Sequence, residues 1–463
     1  MDAADLAFAG LARQAELVAA GEVSPSELVE LSLERIARLD PQLNAFRIVF
    51  AQRARAEARQ AEARRGAGDR RALLGVPVAV KDDMDVAGEV TAQGTGANVR
   101  PAAADSEIVR RLREAGAIVI GKTNVPELAM WPFTESATWG VTRNPWDLDR
   151  TPGGSSGGSG AAVAAGLVAA ATAADGLGSI RIPAACTGLF GLKPQYRRVP
   201  TAPVSDEAWH GIVHYGTLTR SVRDTALFLD VVADRPSWGT FVAAAARAPG
   251  QLRVAVSTAV PPPMMAPLDA RVLAAVAETA DLLRGLGHTV IERDPDYDAA
   301  ALARGLARYF RGILDDAART EHPERLERRS KAMARIGRLI PGRVLARSLA
   351  ETPQLTERLG RLWEDVDVLL TPALASLPLA VGAFEGRGAL WTFTGAGRFV
   401  PHLGPWNLTG QPAASVPAGF TAQDVPLAVQ LVARSGDEAT LLALSAQIEA
   451  ARPWADRRPA LAS

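Results

Sequence analysis

Apolar and charged residues alternate at helical spacing through the first part of the chain, residues 4–68. Ser24 and Ser26 come just before a run in which Leu28 and Ile36 fall on one helical face. Both serines are therefore candidate N-caps, because a serine oxygen can accept from a free N–H group at a helix start. The spacing predicts an N-terminal helical region that ends near residue 68.

The pattern then changes to short apolar runs rich in valine. Residues 73–81 read LLGVPVAVK and predict a buried strand that ends at Lys81. Residues 108–115 have helical spacing, and the next apolar run, AIVIG, predicts a strand at 117–121. The alternation continues, with strands expected at 252–256, 288–292, 366–370 and 414–416, and with helices expected at 268–287, 300–362 and 438–451. Strands alternating with helices indicate an α/β protein with a largely covered sheet.

Composition narrows the class of protein. The 463 residues are 48% hydrophobic, and 51 basic residues balance 51 acidic ones, so no net charge favours nucleic acid or an anionic membrane. The single cysteine, Cys186, excludes an internal disulfide framework and suits a reducing cytosol. The N-terminus has no signal-peptide pattern, and no apolar run is long enough to span a bilayer. We therefore expect a cytoplasmic protein with no nucleic-acid or membrane partner.

Two glycine-rich loops with serines are the strongest sign of chemistry. The first, GGSSGG, spans residues 153–158, and the second, DGLGSIR, spans residues 175–181. Glycine permits positive φ and lets a ligand approach backbone N–H groups closely. Ser155 and Ser179 are far enough apart for a helix and a return strand to bring both hydroxyls together. Successive N–H groups before Ser179 could hold an oxyanion, so the sequence predicts serine-dependent acyl transfer.

A serine nucleophile needs a base. Lysine occurs only at positions 81, 122, 193 and 331. Lys81 ends an apolar strand, where burial favours the neutral amine that can act as a base. None of the histidines, at positions 210, 214, 288, 322 and 402, lies beside a glycine loop in the sequence. Lys81 is therefore the candidate base, and Lys122 and Lys193 are expected to be structural or surface residues.

Other interpretations compete with this one. A Gly/Ser-rich stretch is also typical of a flexible connector. The G-x-S-x-G pattern around Ser155 fits the nucleophile elbow of α/β-hydrolases, with Asp367 and His402 as candidate partners. That interpretation leaves Ser179 and Lys81 without a role.

A metal site has little support in the sequence. His210 and His214 lie four positions apart, which would suit a metal on a helix, but no third ligand is apparent. We expect neither a metal nor another cofactor. Cys186 is most simply a small core residue, and Arg181 is expected to serve structure rather than chemistry.

Several motifs in order resemble the amidase signature family of serine amidohydrolases. They are GVPVAVKDDMD (75–85), NPW (144–146), TPGGSSGGS (151–159), GSIRIPAA (178–185), GLKP (191–194), NLTGQP (407–412) and PLAVQLV (426–432). One such motif alone is weak, but the ordered set is specific. The resemblance covers nearly the whole chain and is weakest at about 295–360.

The resemblance implies one α/β/α domain over residues 1–463, with a mixed central sheet covered by helices. Its expected parts are an N-terminal helical region (1–68), a catalytic core (70–230), a variable helical region on the substrate side (295–360) and a C-terminal part of the core (361–463).

The resemblance also implies a Ser–Ser–Lys triad. Ser179 matches the nucleophile, Ser155 matches the bridging serine that usually follows a cis peptide, and Lys81 matches the base. Ser156 and Asp175 are expected to orient the two loops. The expected oxyanion donors are the backbone N–H groups of Gly176, Leu177 and Gly178.

The chain departs from the family pattern beside the nucleophile. Leu177 occupies a position where the family usually has glycine, and Ala174 replaces the common serine or threonine. A leucine at positive φ would be strained by ~1–2 kcal/mol. Its N–H group remains a donor, so we expect altered substrate choice rather than lost activity.

The expected activity is hydrolysis of a small-molecule amide through an acyl-enzyme on Ser179. Alternatives are a glutamine-hydrolysing A-type subunit of a tRNA-dependent amidotransferase, an acyl transferase or amide synthetase with the same triad, and a binding protein on a decayed scaffold. The arginine-rich stretch 325–347 is expected to shape specificity or form a solvated helix face, and a homodimer is an open alternative to a monomer. The candidate substrate pocket consists of Met130, Trp131, Phe133 and Leu177.

Overall fold

The computed structural model describes residues 2–202 and 208–462. The described residues form the strands β1 (Phe46–Val49), β2 (Pro77–Lys81), β3 (Ile118–Thr123), β4 (Glu135–Ser136), β5 (Gly140–Val141), β6 (Ala170–Asp175), β7 (Phe190–Lys193), β8 (His214–Thr219), β9 (Arg253–Val256), β10 (Thr289–Glu292), β11 (Val368–Pro372), β12 (Ala413–Phe420) and β13 (Pro426–Ala433).

The same residues form the helices α1 (Ala3–Ala7), α2 (Gly10–Ala20), α3 (Pro25–Leu43), α4 (Ala51–Gly66), α5 (Glu107–Glu114), α6 (Gly157–Ala164), α7 (Arg181–Thr187), α8 (Val222–Val232), α9 (Phe241–Ala245), α10 (Ala270–Gly285), α11 (Ala299–Arg319), α12 (Arg328–Leu339), α13 (Gly342–Ala350), α14 (Thr352–Gly360), α15 (Ala389–Phe399), α16 (Pro405–Leu408) and α17 (Glu438–Ala451). Short 3₁₀ turns lie at Glu127–Ala129, Pro323–Arg325, Arg361–Glu364 and Ala460–Ala462.

One mixed sheet of eleven strands runs through the molecule in the order β1-β3-β2-β6-β8-β7-β12-β13-β11-β9-β10. The β3-β2-β6 and β11-β9-β10 groups are parallel, and the other neighbouring pairs are antiparallel. Strands β2, β3, β6, β7, β8 and β11 are buried along their whole length. Helices therefore cover both faces of the central sheet, and the predicted α/β class with a mixed, covered sheet is confirmed.

Side chains of β2 show how the two faces are filled. Val78 and Val80 belong to one apolar cluster, and Ala79 between them belongs to another. Successive side chains of a strand point to opposite faces, so two separate cores lie above and below the sheet. Lys81 is the last residue of this strand and leaves the sheet at its carboxyl edge.

The N-terminal prediction is partly wrong. Four residues of the predicted helical region, FRIV, form β1, an edge strand antiparallel to β3. Ser24 caps α3 in a capping box, in which its Oγ accepts from the Glu27 N–H at 3.1 Å. Ser26 lies inside the first turn of α3 and is not a cap, because the helix already begins at Pro25.

The predicted helical region 300–362 consists mainly of α11 to α14. Helices α11, α12 and α14 pack with α15 in a third apolar cluster, and α13 packs against α11. The cluster lies over the loops that follow Lys81 and β6, so this region borders the candidate site. No helix in the described ranges combines the length and apolarity needed to cross a bilayer.

Candidate active site

Lys81 and Ser155 form a buried hydrogen-bonded pair. The Lys81 side chain is 1% exposed, and its Nζ donates to Ser155 Oγ at 2.9 Å. Asp83 Oδ2 lies 2.8 Å from the same Nζ. The Lys81 backbone N–H donates to Thr172 Oγ1 at 2.8 Å, which ties the strand end to β6. The lysine is thus fixed in position before any substrate binds.

The glycines before Ser155 allow close backbone packing. Gly153 has a φ of +84°, and a Cβ on Gly154 would lie 2.5 Å from the Trp131 carbonyl oxygen. The Gly154–Ser155 peptide is cis. Any other residue at position 154 would push the loop away from residue 131, so the glycines fix the place of Ser155.

Ser156 joins the first loop to the second. Its Oγ donates to the Ala174 carbonyl and accepts from the Ala174 N–H, both at 3.3 Å. Ala174 lies in β6, directly before the second loop. The predicted orienting role of Ser156 therefore has a geometric basis.

Asp175 organises the second loop. Its carboxylate accepts from the N–H groups of Gly178 at 2.6 Å and Ile180 at 3.2 Å. It also pairs with Arg181 Nη2 at 2.9 Å, and both side chains are completely buried. Burial opposes the charged form, but Arg181 outweighs it and holds the pKa of Asp175 below its usual range. The loop is therefore shaped around a fixed carboxylate.

Two residues from the distant C-terminal part complete this network. Asn407 Nδ2 donates to the Asp175 carbonyl and to its Oδ1, both at 2.8 Å. Arg181 donates to Asn407 Oδ1 and to Gln430 Oε1, both at 2.6 Å. Asn407 and Gln430 belong to motifs noted in the sequence, but local spacing assigned neither a role. Arg181 is structural, as its burial shows.

The expected oxyanion donors need one correction. The Gly178 N–H donates to Asp175, so it is already engaged and does not point to the cavity. Within the described residues, the N–H groups of Gly176, Leu177 and Ser179 have no hydrogen-bond acceptor. These three groups are the available donors.

Leu177 is not strained. The positive φ angle falls on Gly178, at +123°, and Leu177 is not among the described residues with positive φ. A Cβ on Gly178 would also collide with the Leu403 side chain. Glycine is thus required at position 178, while position 177 accepts leucine without backbone cost.

Ser179 lines a chamber of about 80 Å³, here called the serine chamber. A second chamber of about 80 Å³, the lysine chamber, contains Lys81 and Ser155. Ala129 and Trp209 line both chambers, so the two chambers adjoin at these residues. The Ser179 hydroxyl has no hydrogen-bond partner in the described part of the chain.

Ala129 and Trp209 have an unusual backbone conformation. Their φ angles are 50° and 48°, in the left-handed region that residues other than glycine seldom adopt. Local strain of this kind persists where surrounding structure holds it, often at functional sites. Trp209 is held by Asp316, which accepts from its indole Nε1 at 2.6 Å.

The lysine chamber contains two carboxylates. Asp83 pairs with Lys81, and Asp316 lies on α11 beside Trp209. Burial raises the pKa of Asp316 to about 6, although the Trp209 bond and Arg319 favour its charged form. Arg319 lies 3.3 Å from Asp316 Oδ1 and is largely exposed. The lysine chamber is therefore lined by charged side chains, whereas the lining of the serine chamber contains none.

The serine chamber is largely apolar, and three of the four residues predicted for the substrate pocket lie in its wall. Met130, Trp131 and Leu177 line it. Phe133 does not, because it is stacked behind Trp131 with ring centroids 5.9 Å apart. Tyr309 of α11 also lines the chamber and donates to the Met130 carbonyl at 2.7 Å.

The nucleophile-elbow interpretation is wrong. Ser155 contacts Lys81, and neither Asp367 nor His402 forms a hydrogen bond with it in the described structure. Asp367 Oδ2 accepts from the Arg253 N–H at 2.8 Å, within the sheet near β9. The connector interpretation also fails, because the first loop is buried and leads directly into α6.

The two histidines considered for a metal do not lie on a helix. His214 begins β8, and His210 pairs with Asp315. No group of three or more possible ligands occurs among the described residues. Cys186 is fully buried in the core, and burial raises the pKa of its thiol.

The other buried lysines have structural partners. Lys122 Nζ lies 3.0 Å from Asp82 Oδ1, and Arg47 Nε lies 2.6 Å from Asp82 Oδ2. Lys193 Nζ donates to the Gln411 carbonyl at 2.5 Å. Both lysines are structural as expected, and neither is at the surface.

The sheet, the buried Lys–Ser pair and the two glycine loops define an α/β protein with a serine–lysine site. A family model described as Amidase matches residues 27–442. The curated protein named "Putative amidase AmiB2" of Mycobacterium tuberculosis (strain ATCC 25618 / H37Rv) is 54% identical over 462 residues, which cover 100% of both chains.

A second relative, 6-aminohexanoate-cyclic-dimer hydrolase of Paenarthrobacter ureafaciens, is 36% identical over 485 residues, with coverage of 97% of this chain and 96% of that protein. A solved structure of 6-aminohexanoate cyclic dimer hydrolase with substrate has a TM-score of 0.91 and 34% identity, and the match covers 99% of this chain and 100% of that one. The chain belongs to the amidase family, also called the amidase signature family. It is an enzyme that hydrolyses amides of small molecules.

Proposed function

We propose that amide hydrolysis proceeds through an acyl-enzyme on Ser179, with Ser155 as proton relay and Lys81 as base. The observation that carries the proposal is the buried bond from Lys81 Nζ to Ser155 Oγ, next to a chamber that Ser179 lines. A general base must lie within hydrogen-bond reach of the proton it removes, directly or through one relay.

Every proton that is released in the proposed cycle is taken up again by a named group. Ser179 Oγ bonds to the amide carbon while its proton passes to Ser155, and the Ser155 proton passes to neutral Lys81. The C–N bond then breaks as the nitrogen receives a proton through Ser155. Water attacks the ester carbon by the same relay, and the carboxylic acid leaves as Ser179 regains its proton.

The N–H groups of Gly176, Leu177 and Ser179 are the proposed oxyanion donors. They lie on a loop that the Asp175 carboxylate already shapes, so little reorganisation accompanies the reaction. One preorganised donor of this kind is worth about 3 kcal/mol to the transition state.

The two chambers give the proposed orientation of the substrate. The departing nitrogen must face Ser155 and Lys81, because they supply its proton. The amine portion therefore occupies the polar lysine chamber, and the acyl portion occupies the apolar serine chamber.

A cytoplasmic location and the oligomeric state stay predictions.

The test is a panel of linear, aryl and cyclic amides that includes the 6-aminohexanoate cyclic dimer, because a relative carries that name. The panel is assayed with wild type and Ser179→Ala, with a fluorophosphonate probe and peptide mass spectrometry to locate the modified residue. We expect hydrolysis and labelling at Ser179, and both should disappear in Ser179→Ala and decline in Lys81→Met.

Ser26→Ala serves as a control, because that serine lies in α3 and lines neither the serine nor the lysine chamber. Labelling at Ser155 instead of Ser179 would refute the assigned roles. Glutamine hydrolysis in preference to all other amides would favour the amidotransferase subunit, and product formation only with an added amine would favour an acyl transferase.

A further inference from the structure

A third chamber of about 120 Å³ adjoins the serine chamber on the side away from Lys81. It is called the distal chamber here. Leu302 and Leu306 of α11, Met264, and Leu408 of α16 contribute to its wall, and its lining contains no charged or polar side chain. An apolar cavity of this kind holds an apolar ligand better than it holds water.

The distal and serine chambers share part of their lining. Leu177, Phe393, Gly397 and Val400 line both, so these residues form the passage between them. Leu177 immediately follows the proposed oxyanion donor Gly176, and its Cδ2 is 3.7 Å from the place of a Cβ on Gly404. The leucine side chain therefore narrows the passage next to the catalytic loop.

We propose that the distal chamber receives the far end of an apolar acyl group, and that Leu177 controls which acyl groups pass into it. The inference rests on the proposed function. When the carbonyl carbon is bonded to Ser179 and the amide nitrogen faces Lys81, the rest of the acyl group can extend only into the serine chamber. The substrate class is then the amide of an unbranched apolar carboxylic acid, whose chain passes Leu177 at its narrowest point.

The expected consequence is that kcat/KM depends on the length of the acyl chain of the substrate. Burial of one methylene group corresponds to about a fourfold gain in kcat/KM, until the chamber is filled. The test uses p-nitroanilides of acetic, butanoic, hexanoic, octanoic and decanoic acids, which differ only in the acyl chain. Wild type should improve from the butanoyl to the octanoyl substrate by more than tenfold.

Two variants change the passage in opposite directions. A Cβ on Gly397 would meet only the flexible end of Met264 and lies on helical backbone, so Gly397→Val narrows the passage at small cost to the fold. It should abolish the gain beyond butanoyl. Leu177→Ala widens the passage and should raise kcat/KM for α-branched or aryl acyl groups, relative to hexanoyl, by about tenfold.

Thr394→Val is the matched control for Gly397→Val. It places the same side chain on the exposed face of the same helix, and it should keep the wild-type dependence on chain length. Thermal unfolding checks that all three variants fold. A flat wild-type profile, or a Gly397→Val profile that equals the Thr394→Val profile, overturns the inference. Activity on the acetyl anilide that depends on Ser179 tests the proposed function separately.

Discussion

The Asp175→Asn variant tests whether one buried ion pair stabilises the fold and also shapes the catalytic loop. Asparagine preserves the side-chain shape but leaves the buried Arg181 guanidinium without its anion. Removal of one partner of a buried pair costs about 3–5 kcal/mol, because the other charge stays buried. We expect the free energy of unfolding to fall by about this amount.

The activity should fall for a separate reason. The Gly178 N–H donates to Asp175, and this bond sets the direction of the neighbouring N–H groups of Leu177 and Ser179. An asparagine amide nitrogen placed at that position would repel the Gly178 N–H. Loss of one oxyanion donor lowers kcat by about 10²–10³-fold, so kcat/KM for an anilide substrate should drop by that factor.

The assay combines urea unfolding, followed by circular dichroism, with kcat/KM at neutral pH. The double variant Asp175→Asn/Arg181→Met removes the uncompensated charge, so it should recover much of the stability but not the activity. Asp224→Asn is the control, because Asp224 is also buried but accepts from the Ala12 N–H, away from the three chambers. It should leave kcat/KM unchanged.

Two outcomes would refute the reasoning. One is an Asp175→Asn protein that unfolds with the wild-type free energy. The other is a double variant with wild-type kcat/KM, since the loop would then need no carboxylate.

The pKa of Asp175 is depressed in the fold, so its stabilisation is present above the unfolded pKa of about 3.9 and is lost as the pH falls through the folded pKa. The difference in the free energy of unfolding between wild type and Asp175→Asn should therefore shrink in acid.

Three further predictions concern Lys81, Trp209 and His402. Asp83→Asn removes the carboxylate that lies 2.8 Å from Lys81 Nζ, so the Nζ position relative to Ser155 should loosen and kcat should fall by about tenfold, and an unchanged kcat would exclude this positioning role. Gly312→Ala places a Cβ 2.5 Å from the Trp209 ring, so kcat/KM should fall while helix propensity improves, which kinetics and thermal unfolding can separate. Burial lowers the pKa of His402 to about 4 from 6.5, so the unfolded chain takes up a proton first as the pH falls. The contribution of His402 to the free energy of unfolding should therefore decrease by roughly 3 kcal/mol from pH 6.5 to pH 4. Urea titrations of wild type and His402→Leu should differ by this amount, because the other titrating groups are common to both proteins.

Much of the fold could be predicted, because its central strands are continuous apolar runs. The run before Lys81 predicted β2, and the helix 438–451 agrees with α17. The edge strand β1 was missed because four residues between two helices carry too little periodicity. An edge strand forms through pairing with its neighbour, here β3, and the local hydrophobic pattern does not indicate that pairing.

The site shows the same division between local and distant information. Lys81, Ser155 and Ser179 lie in motifs whose residue types suggest the chemistry. The roles of Asn407 and Gln430 depend on strands and helices that meet Arg181 only in the folded chain. The engagement of the Gly178 N–H likewise depended on side-chain direction, which spacing does not determine.

The network around Asp175 and the walls of the chambers are built from different contacts, which explains how the choice of substrate can vary while the proposed catalytic residues keep their positions. Asp175, Arg181 and their C-terminal partners are buried within the sheet and its loops, so substitutions there disturb a buried charge and cost stability. Helices α11 and α15 contribute residues to the walls of both the serine and the distal chamber, and they pack through apolar contacts. Apolar substitutions of similar volume usually cost less than about 1.5 kcal/mol. In the proposed orientation of the substrate, the acyl specificity can therefore change through these helices and Leu177, while the geometry of Lys81 and Ser155 is retained.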